Sequence, residues 1–263
     1  VIVVALTMTT QIGGVAWLLA LWLTRRLRRT MRRLMLFAIL LLLAYGALWT
    51  TARAAAPLMG RVAIPCRAAP GQVVAASIAL CAMNRTFVTP TLFAHANRLS
   101  VEMDRRFPGT ITQALDAGFP FFNGFPLLPH LSHDDGLKLD LAFYYMQTDG
   151  TYTPGTIRSR LGYGAFENPT GTAQVPCAGR GDRLTLRWDW DWLQPWHRAL
   201  LVDETRTKFA LRWLVENQPP GRTSRIFVEP HLAQRWDIAG PTIGFQGCRA
   251  ARHDDHIHLQ ISP

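Results

Sequence analysis

The chain predicts an α+β domain: a small antiparallel sheet with flanking helices and long loops, preceded by N-terminal transmembrane helices. Three observations carry this reading. Two apolar stretches, Val1 to Leu23 and Leu34 to Thr50, flank a run of arginines. Beyond them, apolar and polar residues alternate over 137–144 and 256–261, the period of a strand, while 203–216 has helical spacing. With 49% hydrophobic residues in 263, the roughly 190 positions after the membrane segment can bury one proper core.

A helix needs roughly 20 apolar residues to cross a bilayer. The second stretch is long enough to span most of that thickness, and the first is weakened by Thr7, Thr9, Thr10 and Gln11. Arg25, Arg26, Arg28, Arg29, Arg32 and Arg33 lie between them, and arginines stay on the cytoplasmic side. A two-span hairpin therefore places the N-terminus and everything after residue 50 on the far side. The expected organisation is a membrane segment over 1–53, a linker rich in alanine and proline over 54–70, and an exported domain over 71–263. A competing account makes Arg25 to Arg33 the basic start of a signal peptide and Leu34 to Trp49 its apolar centre. Cleavage would then fall at Ala52-Arg53-Ala54 or Ala54-Ala55-Ala56, and translation would start downstream, as at Met31. Both accounts export the remainder of the chain, to the periplasm.

The formal net charge of +10 has a topological explanation, because six of those positive charges belong to the arginine run and about +4 remain elsewhere. The rest of the chain has no basic face interleaved with groove-reading or aromatic motifs, so nucleic acid is excluded as a partner. Cys66, Cys81, Cys177 and Cys248 all fall in the exported part, where disulfides persist. Three connectivities are open. Loop proximity suggests Cys66 with Cys81 and Cys177 with Cys248. A thiolate zinc site lacks the Cys-x-x-Cys spacing it needs.

Along the exported part, Phe87 to Phe107 has helix-compatible spacing, and Thr110 to Leu115 can form a strand. That strand leads into a loop rich in glycine and proline, Asp116 to Pro129, able to wall a cleft although its phenylalanines read first as core. Leu184 to Trp192 alternates so regularly that a strand with one aromatic and one charged face is expected. Such faces are more often core than sugar-stacking platforms. Asp203 to Glu216 forms a helix on Phe209, Leu211, Trp213 and Leu214.

The chemistry concentrates in two motifs. The first is Ser132-His133-Asp134-Asp135-Gly136-Leu137-Lys138-Leu139-Asp140, and the second is His253-Asp254-Asp255-His256-Ile257-His258. Gly136 permits a tight turn after His133. The strand beyond that turn sets Asp140 on the face opposite Leu137, Leu139 and Leu141. In the second motif His256, His258 and Gln260 alternate with Ile257, Leu259 and Ile261, aiming both histidines into one cavity. A catalytic zinc takes three protein ligands and keeps one position for water. His133, Asp140 and His258 supply three. Any one of these histidines alone is more often a hydrogen-bonded core residue; the joint pattern points to Zn2+. The neighbouring acids Asp134, Asp135, Asp254 and Asp255 read as solvated, or as carboxylates that fix an imidazole tautomer.

The combination Ser-His-x-x-Gly-x-x-x-Asp with a distant His-x-His resembles the LAS group of zinc peptidases, whose relatives include hedgehog zinc domains. The nearer likeness is to the penicillin-insensitive murein endopeptidases, on His130-Leu131-Ser132-His133-Asp134-Asp135-Gly136-Leu137 and Asp254-Asp255-His256-Ile257-His258. Arg225-Ile226-Phe227-Val228-Glu229-Pro230 is similar to that family's strand before a short helix. The likeness spans roughly 100–262, with only these islands specific. It implies a LAS/hedgehog-like fold, zinc on His133, Asp140 and His258, and a His256 that contacts the attacking water or the oxyanion. It places His130 and His253 beside the metal. The family's further Asp-x-x-His pair is missing, with Asp189, Asp191 and His197 the nearest candidates.

The resemblance implies a membrane-anchored zinc metallopeptidase in the inner membrane, with its catalytic domain in the periplasm, cutting peptide cross-links or stem peptides of peptidoglycan. No glutamate of a His-Glu-x-x-His helix is present, so His256 or His253 must stabilise the oxyanion or move its proton. Two alternatives stay open. One is a non-catalytic zinc domain that recognises a wall component or protein partner; the other is a D-Ala-D-Ala dipeptidase or carboxypeptidase.

Overall fold

A computed structural model describes residues 1–27, 30–173 and 175–263. Three helices come first: α1 (Ile2–Thr10), α2 (Gly13–Thr24) and α3 (Met31–Ala55), the last running on as a 3₁₀ turn over Ala56–Met59. Among the described residues one helix, Met31–Met59, is long and apolar enough to cross a membrane. Gly13–Thr24 is apolar but shorter. Gln11 adopts φ 66°, a left-handed conformation that ends α1, and Thr10 Oγ1 accepts the Gly13 N–H at 2.8 Å. The chain then folds back so closely that a Cβ on Gly14 would lie 2.8 Å from the Val3 carbonyl oxygen. The first apolar stretch is divided into two short helices. Arg28 and Arg29 of the arginine run lie outside the described residues.

The helices are fastened to the rest of the chain. Trp49 Nε1 donates to the Cys81 carbonyl at 2.8 Å, and the Tyr45 hydroxyl donates to that of Ala82. Arg53 donates to the Ile64 carbonyl at 3.3 Å while its guanidinium lies 4.4 Å from the centre of the Trp49 ring. Residues 54–70, read as a linker, finish α3 and carry the 3₁₀ turn and β1 (Val62–Ala63).

Next come β2 (Val73–Ala75), α4 (Ile78–Ala82), β3 (Phe87–Val88), α5 (Pro90–Arg106) and β4 (Thr112–Ala114). After them stand β5 (Lys138–Ala142), β6 (Tyr145–Met146), β7 (Leu201–Val202) and α6 (Glu204–Glu216). The chain closes with β8 (Ser224–Phe227), α7 (Pro230–Arg235), β9 (Ile243–Gly244) and β10 (His256–Ile261). The architecture is mixed α+β. Pro90 in the first turn suits α5, where its missing N–H costs nothing. Asp203 caps α6 by accepting the Arg206 N–H at 3.0 Å.

The main sheet has six strands in the order β2-β4-β5-β10-β8-β9. Its central pairings are antiparallel, as the alternation predicts, but the outer pairs β2–β4 and β8–β9 are parallel. Parallel neighbours need a crossover, supplied by α5 on one side and α7 on the other. One face of the sheet buries Leu139, Leu141, Ile257 and Leu259 against Leu92, Leu99 and Met103 of α5 and Leu211 and Leu214 of α6. The opposite face of β5 and β10 carries Asp140, His256 and His258.

Leu184 to Trp192 forms no strand, which corrects the sequence expectation. Leu186 N–H donates to the Arg249 carbonyl at 2.9 Å, but no ladder develops from it and Asp191–Trp196 winds into a 3₁₀ helix. Alternation alone cannot make a strand without a neighbouring edge to pair with. Two disulfides, Cys66–Cys81 and Cys177–Cys248, form as loop proximity suggests, and they point to an oxidising compartment.

Candidate metal centre

Asp140 and His258 are direct cross-strand partners on β5 and β10, so their side chains leave the sheet side by side. His133 reaches the same point from the preceding loop. Gly136, at φ 70°, makes the turn between them; a Cβ there would meet the Arg61 guanidinium at 2.6 Å. His133 Nδ1 bonds the Ala117 carbonyl at 2.8 Å, which puts the proton on Nδ1 and leaves the Nε2 lone pair free to ligate.

Three atoms converge: His133 Nε2, Asp140 Oδ1 and His258 Nδ1. The two nitrogens are 3.3 Å apart, and they stand 3.3 Å and 2.8 Å from the carboxylate oxygen. Tetrahedral ligands at zinc distances of about 2.0–2.2 Å lie about 3.4 Å from one another, so the triangle is close to what an ion requires. All three residues are buried. Among the described residues the ion pairs of Asp140 run only to histidines. A buried carboxylate ringed by imidazoles suits a metal ion, which would offset the cost of burying its charge. Among the described residues His258 Nε2 is buried with no hydrogen-bond partner. This buried group can hold a metal ion.

The remaining predicted residues lie around this triangle. His256 Nε2 is 3.7 Å from Asp140 Oδ1, and its Nδ1 bonds the Asp255 carboxylate. Burial pushes the His256 imidazole down, but Asp140 and Asp255 outweigh it and hold its pKa up at about 9. The His253 ring is 4.9 Å from that of His256, and burial, with the neighbouring imidazoles second, holds His253 well below the ordinary histidine range. Burial likewise takes His258 to about 4, against the pull of Asp140, leaving it in the neutral form that ligation requires. His130 Nδ1 bonds Asp116 Oδ2 at 2.9 Å and lies 3.5 Å from Asp140 Oδ2.

Asp254 instead accepts from Arg252, and Asp135 pairs with Lys138 at 2.5 Å. Of the stand-ins for the missing Asp-x-x-His pair, Asp189 pairs with Arg252, His197 bonds the Gly164 carbonyl, and Asp191 opens the 3₁₀ helix Asp191–Trp196.

Three further residues support the centre. The Tyr163 hydroxyl donates to Asp140 Oδ2 at 2.8 Å. Asp116 holds His130, and Arg85 grips Asp116 at 2.6 and 2.7 Å. Arginine and histidine together keep the Asp116 carboxyl well below the usual range although burial opposes them. Pattern reading passes over Tyr163; its one local signal is a glycine on each side, Gly162 and Gly164, both at positive φ. No family model matches the chain, and no curated protein matches it.

Proposed function

We propose that this chain is a membrane-anchored zinc peptidase acting on peptidoglycan peptides, with its catalytic domain in the periplasm. The observation that carries the reading is the convergence of His133 Nε2, Asp140 Oδ1 and His258 Nδ1 on one buried point within 3.3 Å of one another. A zinc ion held there supplies a Lewis acid for a carbonyl and lowers the pKa of water to about 7.

The chain's own residues divide the proton work. His253, held neutral, accepts the proton of the attacking water. His256, its Nδ1 bonded to the Asp255 carboxylate, would hydrogen-bond from Nε2 to the oxyanion developing on the scissile carbonyl and then pass that one proton to the leaving amine. Tyr163 and Ala117 orient the ligands by bonding Asp140 and His133.

The apolar Met31–Met59 helix supports membrane anchoring, and Arg32 and Arg33 at its start support a cytoplasmic end there. Both disulfides lie beyond it, in keeping with export. The substrate rests on the murein endopeptidase likeness of the two motifs.

The test incubates the full chain, in lipid nanodiscs, with cross-linked muropeptides and with free D-Ala-D-Ala, with and without a chelator. Metal content is measured alongside. Wild type is expected to carry about one zinc and to cleave the cross-linked peptides, and His133→Ala or His258→Ala to retain below about a tenth of that metal. Zinc bound without cleavage overturns the enzyme reading in favour of a binding domain, and cleavage of the dipeptide alone makes it a dipeptidase.

A further inference from the structure

Given the membrane anchor proposed above, we infer that the exported domain is sunk into the periplasmic leaflet of the bilayer through α4 and the 118–129 loop. Its partner on that face is lipid hydrocarbon, and the metal centre is held at the membrane surface.

The helices are too short to lift the domain clear of the membrane. Arg25, Arg26, Arg32 and Arg33 mark the cytoplasmic boundary. From it α2 and α3 rise as a hairpin, with the Trp17 and Phe37 rings edge to face at 4.7 Å. At about 1.5 Å per residue Gly13 stands about 17 Å above Thr24, and Tyr45 about 18 Å above Arg33. The hydrocarbon core is about 30 Å thick, a height that α3 reaches only at Arg53. The domain is nevertheless attached at the lower level. The Tyr45 hydroxyl donates to the Ala82 carbonyl of α4, Asn84 Nδ2 donates to the Thr10 carbonyl at 3.4 Å, and Gln11 pairs with Phe121. Both α4 and the loop therefore lie within the hydrocarbon of the periplasmic half.

The surface lowered in this way is apolar. The short helix α4 exposes Ile78, Ala79 and Ala82, with Ile78 80% exposed. The 118–129 loop contains no charged residue and exposes Leu128 and Phe122, the latter 65%. Its one polar side chain, Asn123, accepts from Arg61 at 2.5 Å. Water solvates such a face poorly, and hydrocarbon accepts it readily.

Backbone groups on this face are provided for as hydrocarbon demands, where each N–H and C=O needs a protein partner. The last carbonyls of a helix have none within it. Here the Cys81 carbonyl takes the Trp49 Nε1 hydrogen at 2.8 Å, and the Ala82 carbonyl takes that of the Tyr45 hydroxyl. One amide, Gln11, serves both the carbonyl and the N–H of Phe121. At the other end of α4 the Ser77 side chain accepts the Leu80 N–H at 3.2 Å. In water these groups need no such partners, and apolar helices would have no reason to supply polar side chains to them. The loop runs on into His130 and His133, which ties the metal centre to the bilayer surface.

The test places one NBD-labelled cysteine at a time in the full chain, in nanodiscs of dioleoyl phosphatidylcholine with and without a spin-labelled acyl chain as quencher. Leu42→Cys reports on α3, and Ile78→Cys and Phe122→Cys report on the lowered face. Arg105→Cys, at a guanidinium that pairs with Glu102 on the far end of α5, reports on water. All four side chains are exposed, so labelling leaves the core intact. Labels at Leu42, Ile78 and Phe122 are expected to lose at least about half of their emission to the spin-labelled lipid, because all three lie in the hydrocarbon, while the label at Arg105 keeps its emission. Quenching at Leu42 with none at Ile78 and Phe122 overturns the immersion and leaves the anchor standing. No quenching at Leu42 overturns the anchor, and the immersion with it.

Discussion

Tyr163 and Asp140 meet through a 2.8 Å hydrogen bond from the phenol to Oδ2, the carboxylate oxygen that the metal triangle leaves unused. The Asp116 backbone amide donates in turn to the Tyr163 oxygen at 2.8 Å, so the phenol is fixed from behind. Burial, then Asp116 and Asp140, raises the Tyr163 pKa well above its ordinary value, which keeps it a donor. Groups that orient a metal ligand in this way are worth about 10–100-fold in affinity. Tyr163→Phe is therefore expected to weaken zinc binding by that factor and to cost the fold about 1–3 kcal/mol, since it removes two buried hydrogen bonds. Competition against a chromophoric chelator reads the first quantity and urea denaturation the second. Unchanged zinc affinity in the variant removes Tyr163 from the centre.

Tyr163 also marks the boundary of what one dimension can display. Asp140 and His258 are legible because a strand has a period of two, and each sits on the polar side of an alternating run whose apolar side is core. Gly136 announces the turn that returns His133. Tyr163, Asp116 and Arg85 reach the centre through space, from segments with no shared period, and nothing local distinguishes them from other buried polar residues. The same reason accounts for the break in the first apolar stretch and for the missing tryptophan strand. The break in the first apolar stretch depends on Gln11 finding a partner 110 positions away, and the tryptophan segment alternates without an edge to pair with. The parallel outer strands depend on crossovers, which alternation does not encode.

Gln11 binds the N-terminal helices to the loop that carries the metal ligand. Its amide donates to the Phe121 carbonyl at 2.6 Å and accepts the Phe121 N–H at 3.0 Å. Arg61, just beyond the apolar helix, grips Asn123 in the same loop at 2.5 Å. The path from Phe121 to His130 and His133 is short, so the anchor steadies one side of the centre. Gln11→Ala removes two hydrogen bonds worth about 0.5–1.5 kcal/mol each. In the full chain, amide exchange at Phe121 is expected to accelerate by at least about tenfold while Leu259 in β10 keeps its rate, because the loop opens without the sheet. Equal rates at Phe121 in both proteins would separate the anchor from the site.

His95 sits at the far side of the core from the metal and gives the fold a pH dependence of its own. It is buried on α5, its ring centre is 5.4 Å from that of Trp213, and among the described residues neither ring nitrogen has a hydrogen-bond partner. Burial, with a smaller contribution from Arg98, lowers its pKa from 6.5 to about 4. The folded value lies below the unfolded one, so the unfolded chain takes up the proton first as the solution is acidified. The stabilising contribution is complete above pH 6.5 and is lost progressively as the pH falls towards 4. His95→Leu removes the titration while keeping an apolar partner for Trp213. Denaturant midpoints measured from pH 7.5 to 4 should fall less steeply for the variant than for wild type, with the two curves diverging below about 6.5. Parallel curves would show that His95 is protonated alike in both states, and that its burial leaves no mark on stability.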